Sequence, residues 1–193
     1  MNNRFYRQET EVDRWTTFEV RVDSTDLLVR AKSDLSHVTV EYIKNLRNIL
    51  NNHIIENKHF LTSLDPIQKT KVLHNLVESM YDASERAIVG PMASVAGAIA
   101  EELGLYLLNY SDEIIIENGG DIWLYTNEPV IVEIFPGNNY FNNSLMIKIA
   151  PELTPLGIST SSGKIGTSLS FGNADAVTIL AKDASLADAL ATA

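Results

Sequence analysis

The hydrophobic pattern of this 193-residue chain changes period near Leu108, and that change limits its fold more than any other feature. Upstream, apolar residues recur at helical spacing, at Val40, Ile43, Leu46, Leu50 and Ile54 and again at Leu73, Leu76, Val77 and Met80. Downstream the pattern turns to short strands: Glu113 to Glu117, Ile122 to Tyr125, Val130 to Phe135, Leu145 to Ile149, Gly157 to Thr160 and Ala176 to Ala181. Tight turns at Asn118-Gly119 and at Asn127-Glu128-Pro129 join several of them and argue for antiparallel pairing. A period-two run at Phe18 to Val22, turn residues at Asp23 to Asp26 and a second run at Leu27 to Ala31 predict a β-hairpin ahead of the helices. The expectation is an α+β fold in which an antiparallel sheet packs with helices. No repeat or Pro/Gly/Ser linker divides it, so residues 1–193 are read as one domain.

Local signals place the helix ends. Ser36 can cap a first helix that runs out near Asn57, and Asp65-Pro66 reads as the N-cap and first turn of a second. From Pro91 a third helix carries almost no side-chain bulk at Ala93, Ala96, Gly97, Ala98 and Ala100, so another element must approach it closely. Asp183 can cap a last helix from Ala184, and the absence of a closing glycine at Ala193 leads to the expectation that the chain is cut short there.

Composition narrows the function classes. A net charge of −10 repels a phosphate backbone, and no basic cluster with interleaved aromatics offsets it, so nucleic acid is not an expected partner. The absence of cysteine removes disulfides, thiolate catalysis and Cys-ligated metals. The first fifteen residues are polar and charged, which argues against a membrane anchor and for a cytoplasmic protein.

Three segments concentrate small residues, backbone N–H groups and hard oxygen atoms: Glu117 to Asp121, Ser159 to Gly163, and Ala187 to Thr192. That is the chemistry a pyrophosphate and a magnesium ion require. Asp188 and Thr192 are four apart, so a helix presents a carboxylate and a hydroxyl on one face, suited to one metal ion or simply to solvent. Asn118, Gly119, Gly120 and Asp121 read equally as a type I′ hairpin turn or as backbone that reaches a ligand. Thr160, Ser161, Ser162 and Gly163 read as an anion-binding strand end or as an ordinary Ser-rich loop. A serine nucleophile is disfavoured, because His37, His53, His59 and His74 stand in no recognisable relation to these serines and read as surface or core residues.

In order, the segments Gly90 to Glu101, Glu117 to Ile122, Thr160 to Gly163 and Leu186 to Thr192 resemble those of the ApbE-like proteins, and in particular a cytosolic branch of that superfamily. The resemblance runs from about Tyr6 to Ala193 and is strongest after Val89. It implies an ApbE-like fold, FAD and magnesium as ligands, Asn118 to Asp121 and Thr160 to Gly163 against the flavin nucleotide, and Asp188 with Thr192 on the metal. The activity it implies is transfer of FMN from FAD to a Thr or Ser of an acceptor protein. Two departures matter. Ala96 stands where the transferases carry a lysine, and the His-containing segment after Thr-Ser-Gly is replaced by Gly166 to Asp175. Asp175 is then the one titratable group there, to be read as a catalytic base, a third metal ligand or a turn residue. Three readings follow: an FMN transferase or FAD hydrolase, a non-catalytic module for a flavin or another phosphorylated metabolite, or a structural protein whose small residues pack a homo-oligomer.

Overall fold

The computed structural model describes residues 14–69, 71–134, 145–161, 171–172, 174 and 176–193. The opening hairpin pairs β1 (Thr16–Val22) with β2 (Thr25–Ala31) and sends Leu27, Val29 and Ala31 into the core. Helix α1 (Ser36–Glu56) follows, then a short α2 (Lys58–Thr62), α3 (Asn75–Ala87), a 3-10 turn (Pro91–Ser94) and α4 (Val95–Leu107). Next come β3 (Ile114–Asn118), β4 (Asp121–Tyr125), β5 (Val130–Ile134), β6 (Leu145–Ile149), β7 (Leu156–Ser161), β8 (Val177–Ala181) and α5 (Ala184–Thr192). All six downstream strands lie on the runs that the sequence predicts, and the fold is α+β as expected.

The main sheet has the order β1-β2-β3-β4-β7-β8 and is antiparallel throughout. Its two faces are written in strict alternation, as the pleat demands. Ile114, Ile116 and Trp123 join the large core beneath the helices, whereas Ile115, Ile122, Leu124, Leu156 and Ile158 face a second core. That second core is roofed by β5 and β6, which among the described residues pair only with each other, through Val130↔Ile149 to Ile134↔Leu145. The turn at Asn127 to Pro129 therefore does not join paired strands, contrary to expectation: it carries the chain out of the main sheet. The chain comes back at β7, which pairs beside the strand it left, with Leu124 opposite Leu156.

Local ends differ from expectation where a neighbour supplies the cap. Ser36 is already helical, and its N–H donates to Asp34 Oδ1 at 2.8 Å. Asp65-Pro66 starts no helix; α3 begins ten residues later, where His74 Nδ1 accepts from the Leu76 N–H at 3.2 Å. Asp183 precedes α5 without capping it, because its carboxylate takes Arg86 Nη1 at 3.0 Å instead. The α5 N-terminus is served by Glu101 of α4, whose Oε2 accepts from the Ser185 N–H at 3.3 Å. Burial raises the Glu101 carboxyl above its usual range, aided by the Asp183 charge and opposed by the N–H groups of Ser185 and Ala184.

The expected close approach to the small-residue helix comes from α5. A Cβ at Gly97 would fall on the Ala184 backbone, 2.7 Å from its carbonyl carbon and 2.9 Å from Asp188 Cβ. Gly157 on β7 faces the same residue, so Ala184 sits between a helix and a strand that both lack a side chain there.

Candidate functional site

The β3–β4 hairpin, the start of α4, the end of β7 and the middle of α5 meet at one place. The hairpin closes through two glycines, Gly119 at φ 72° and Gly120 at φ 112°, with Asn118 paired to Asp121. The left-handed pair is thus Gly-Gly, one position later than the expected Asn-Gly. The shift leaves Asn118 and Asp121 as the last strand residues, with side chains free to act. Asn118 Nδ2 donates to the Ala96 carbonyl at 3.0 Å and ties the hairpin to α4. Glu117 Oε1 accepts from the Gly120 N–H at 2.7 Å and holds the turn.

Asp188 is buried at 8% exposure, and Thr192, one turn on, at 9%, so neither is the solvent-facing helix residue that spacing alone allowed. Asp188 Oδ2 accepts from the Gly97 N–H at 2.9 Å across 91 residues of sequence. Burial raises its carboxyl well above the ordinary range, the Asp121 charge adds to that rise, and the Gly97 and Ala96 N–H groups oppose it. Asp121 is pushed up to about 6 by burial first and by the Glu117 charge second, against the Ser159 hydroxyl that donates to its Oδ1. Two carboxyl groups, Asp188 buried and Asp121 half-buried, thus repel each other, and among the described residues no Lys or Arg forms an ion pair with either.

The remaining expected residues divide. Thr160 Oγ1 lies 3.0 Å from Thr178 Oγ1 across the β7–β8 pair, and Ser161 ends β7 opposite Val177. Ser162, Gly163 and Asp175 lie outside the described residues. Of the histidines, His53 is buried against Tyr81, its Nε2 at 3.1 Å from the phenol oxygen, and His74 caps α3. Among the described residues no three His, Asp or Glu side chains are grouped closely enough to hold a metal by themselves.

A cleft of about 280 Å³ opens beside this site and shares Ala96 and Asn118 with it. Its apolar walls are Leu50 and Ile54 of α1 and Val95 and Ile99 of α4, and its polar edge is Arg47 and Asn51 with Ser24 and Thr25 of the first hairpin. Nothing in the local sequence marks Arg47, Asn51 or Glu101 as parts of this region. Only the tertiary packing of α1 and α5 on α4 brings them there.

No single helix among the described residues is long and apolar enough to cross a membrane. The chain is 44% identical over 174 residues to a UPF0280 protein of Methanobrevibacter smithii, spanning 89% of this chain and 73% of that one. It is 39% identical over 183 residues to a UPF0280 protein of Methanocaldococcus jannaschii, spanning 93% and 74%. Two solved structures share the fold. A mutant of the flavin transferase ApbE from Vibrio cholerae superposes with a TM-score of 0.53 at 14% identity, covering 92% of this chain and 85% of that one. The apo flavinyl transferase ApbE of Pseudomonas stutzeri superposes with a TM-score of 0.52 at 10% identity, covering 95% and 85%. The family model described as AbpE bacteria matches residues 7–193, and the chain, with its ApbE-like fold, belongs to that family.

Proposed function

We propose that this protein binds a flavin nucleotide, FAD, together with magnesium, at the junction of α4, the β3–β4 hairpin and α5. The observation that carries the reading is the pairing of half-buried Asp121 with buried Asp188, neither of which has a cationic partner among the described residues, gathered by three separate sequence segments. Two such carboxyl groups cost stability unless a cation or a proton joins them. A hard divalent ion suits the donors present, since Asp188 and Thr192 offer oxygen from one face of α5. Magnesium commonly completes its shell with water and substrate phosphates, so a third acidic ligand is not required. When bound, the ion would neutralise pyrophosphate charge. The solved ApbE structures bear the names flavin transferase and flavinyl transferase, which favours a flavin over other phosphorylated ligands.

The chain's own residues have defined tasks in this reading. Gly119 and Gly120 let the hairpin backbone approach the ligand, Asn118 fixes that hairpin on α4, and Asp121 turns its carboxyl toward Ser159. Thr160, Ser161, Ser162 and Gly163 are the proposed contacts to the phosphates. Asp175 is the proposed base that takes the proton from an acceptor hydroxyl, either a Thr or Ser of a partner protein or water. In that step the FAD pyrophosphate P–O bond breaks, a new P–O bond forms to the acceptor oxygen, and AMP departs. A non-catalytic binder is the second reading. It is favoured by Ala96, which meets the site with backbone groups alone and brings no cation to it.

Titration of the purified protein with FAD, FMN and ADP, with and without magnesium, tests the proposal by flavin fluorescence, with chromatography to follow FAD cleavage. Magnesium-dependent binding is the expected result. Cleavage would separate transferase or hydrolase from binder, and failure of every flavin to bind under both conditions would refute the proposal.

A further inference from the structure

A second cavity, of about 300 Å³, lies between the C-terminal turn of α1, the chain leading into α3 and α3 itself, and it shares no residue with the cleft beside Asn118. Its inner residues are polar. His53 and Tyr81 are buried and Asn57 is half-buried. His53 Nε2 stands 3.1 Å from the Tyr81 hydroxyl oxygen, which also accepts from Asn57 Nδ2 at 3.2 Å. Among the described residues, Asn57 Oδ1 and His53 Nδ1 have no hydrogen-bond partner, so two side chains that line the cavity keep unspent polar atoms. At its outer edge Lys71 Nζ meets Glu56 Oε2 at 2.7 Å, and these side chains are 58% and 61% exposed. Burial holds the His53 imidazole below its ordinary range, the Lys71 charge adding to that and the Glu56 charge opposing it, so the ring is neutral at pH 7.

We propose that this cavity binds a free α-amino acid with a carboxamide side chain, glutamine or asparagine, whose zwitterion engages Lys71 and Glu56 and whose amide pairs with Asn57. The site holds one charge of each sign, so a simple anion would gain Lys71 and be repelled by Glu56, and a simple cation the reverse. A zwitterion satisfies both, with its carboxylate on the Lys71 ammonium and its ammonium on the Glu56 carboxylate. An exposed ion pair contributes little stability, so Lys71 and Glu56 separate readily to admit it. Further in, the Asn57 amide can donate one hydrogen bond and accept one in a cyclic pair with a second amide. An aliphatic side chain in that place would leave Asn57 Oδ1 without a partner, which is how a polar site rejects an apolar analogue. The volume is at the lower end for small-molecule sites and suits a single amino acid, not a dinucleotide. None of this depends on the flavin-nucleotide reading.

The test is isothermal titration calorimetry with L-glutamine, L-asparagine, N-acetyl-L-glutamine and L-leucine on the wild-type protein, Glu56→Gln, Lys71→Met and Asn57→Leu. Glu56 and Lys71 are exposed, so their replacement keeps the fold even if loss of the Asn57 bond to Tyr81 loosens the end of α1. Wild-type protein is expected to bind glutamine or asparagine with a Kd below about 1 mM. N-acetyl-L-glutamine, which lacks the ammonium, and leucine, which lacks the amide, should each bind about tenfold more weakly or worse. Each variant should weaken binding of the favoured amino acid by about the same factor. No heat from either amide amino acid at millimolar concentration would overturn the inference, as would affinities within twofold of wild type in both Glu56→Gln and Lys71→Met. N-acetyl-L-glutamine binding as tightly as glutamine would overturn the zwitterion, and leucine binding as tightly would overturn the pairing with Asn57.

Discussion

Replacing Gly97 by alanine sets two effects of opposite sign against each other. Within a helix, Gly→Ala gains roughly 1 kcal/mol of propensity, so α4 alone would be strengthened. The new methyl, however, would sit 2.7 Å from the Ala184 carbonyl carbon, where ordinary carbon contacts need about 3.5–4.0 Å. Helix α5 must then retreat by roughly 1 Å. It has little room to do so, because its first residue is already seated on Gly157 and the helix packs on α3 as well. Overpacking of this kind costs about 1–3 kcal/mol, and stretching the bond from the Gly97 N–H to Asp188 adds about 1.5–3 kcal/mol. The net loss is about 1.5–5 kcal/mol, or a fall of roughly 3–20 °C in Tm for a chain of this size. Thermal and urea unfolding followed by circular dichroism measure it, and magnesium-dependent ligand binding should weaken in the same variant. A Tm equal to or above that of the wild type would refute the reasoning, because propensity would then outweigh the contact.

Two further outcomes follow from carboxylates that hold the fold together. Burial disfavours the Glu113 carboxylate, but hydrogen bonds from Arg14, Lys32 and the Asn127 N–H, with the Arg14 charge, outweigh it and hold the group down to about 2. A carboxylate depressed in the folded state stabilises above its unfolded pKa and loses that contribution as pH falls toward the folded one. Glu113→Gln should therefore lower stability at pH 7 by about 1–3 kcal/mol, with the difference from wild type shrinking between about pH 4.5 and pH 2 in urea unfolding. Glu101→Ala removes the acceptor at the N-terminus of α5 and should cost about 1 kcal/mol, seen as a Tm lower by roughly 2–4 °C; an unchanged Tm would mean water replaces the cap fully.

Much of the fold was legible because strand alternation is a local property. Every strand from Ile114 to Ala181 lies on a short apolar-rich run, and the two faces of β4 are occupied in turn by Ile122, Trp123 and Leu124. What escaped is what depends on a distant partner. Asp65-Pro66 has the chemistry of a helix start, yet the chain stays irregular to His74, where the imidazole supplies the cap. Asp183 looks like a cap, but Arg86 occupies it and Glu101 substitutes. Within the site, Asp188 and Asn118 carried a family pattern, while the burial that sets Asp121 against Asp188 arises only when α4, β4 and α5 meet. Arg47 and Asn51 lie on a helix whose sequence reads simply as amphipathic, so no local signal could assign them to a cleft.

The route of the chain between β4 and β7 has an evolutionary consequence. Residues 126 to 154 leave the main sheet and return beside their point of departure, and the exit is tied off where Thr154 Oγ1 both accepts from the Thr126 N–H and donates to its carbonyl, each at 3.3 Å. A segment whose two ends are already neighbours can lengthen or shorten at an entropic cost that grows only with the logarithm of its length. Changes there leave the Leu124–Leu156 register undisturbed, provided the apolar roof over Leu124 and Ile158 is kept. Relatives of this chain are thus expected to differ most in size across this excursion, and a chain with a peptide tag grafted into it should fold with the candidate site intact.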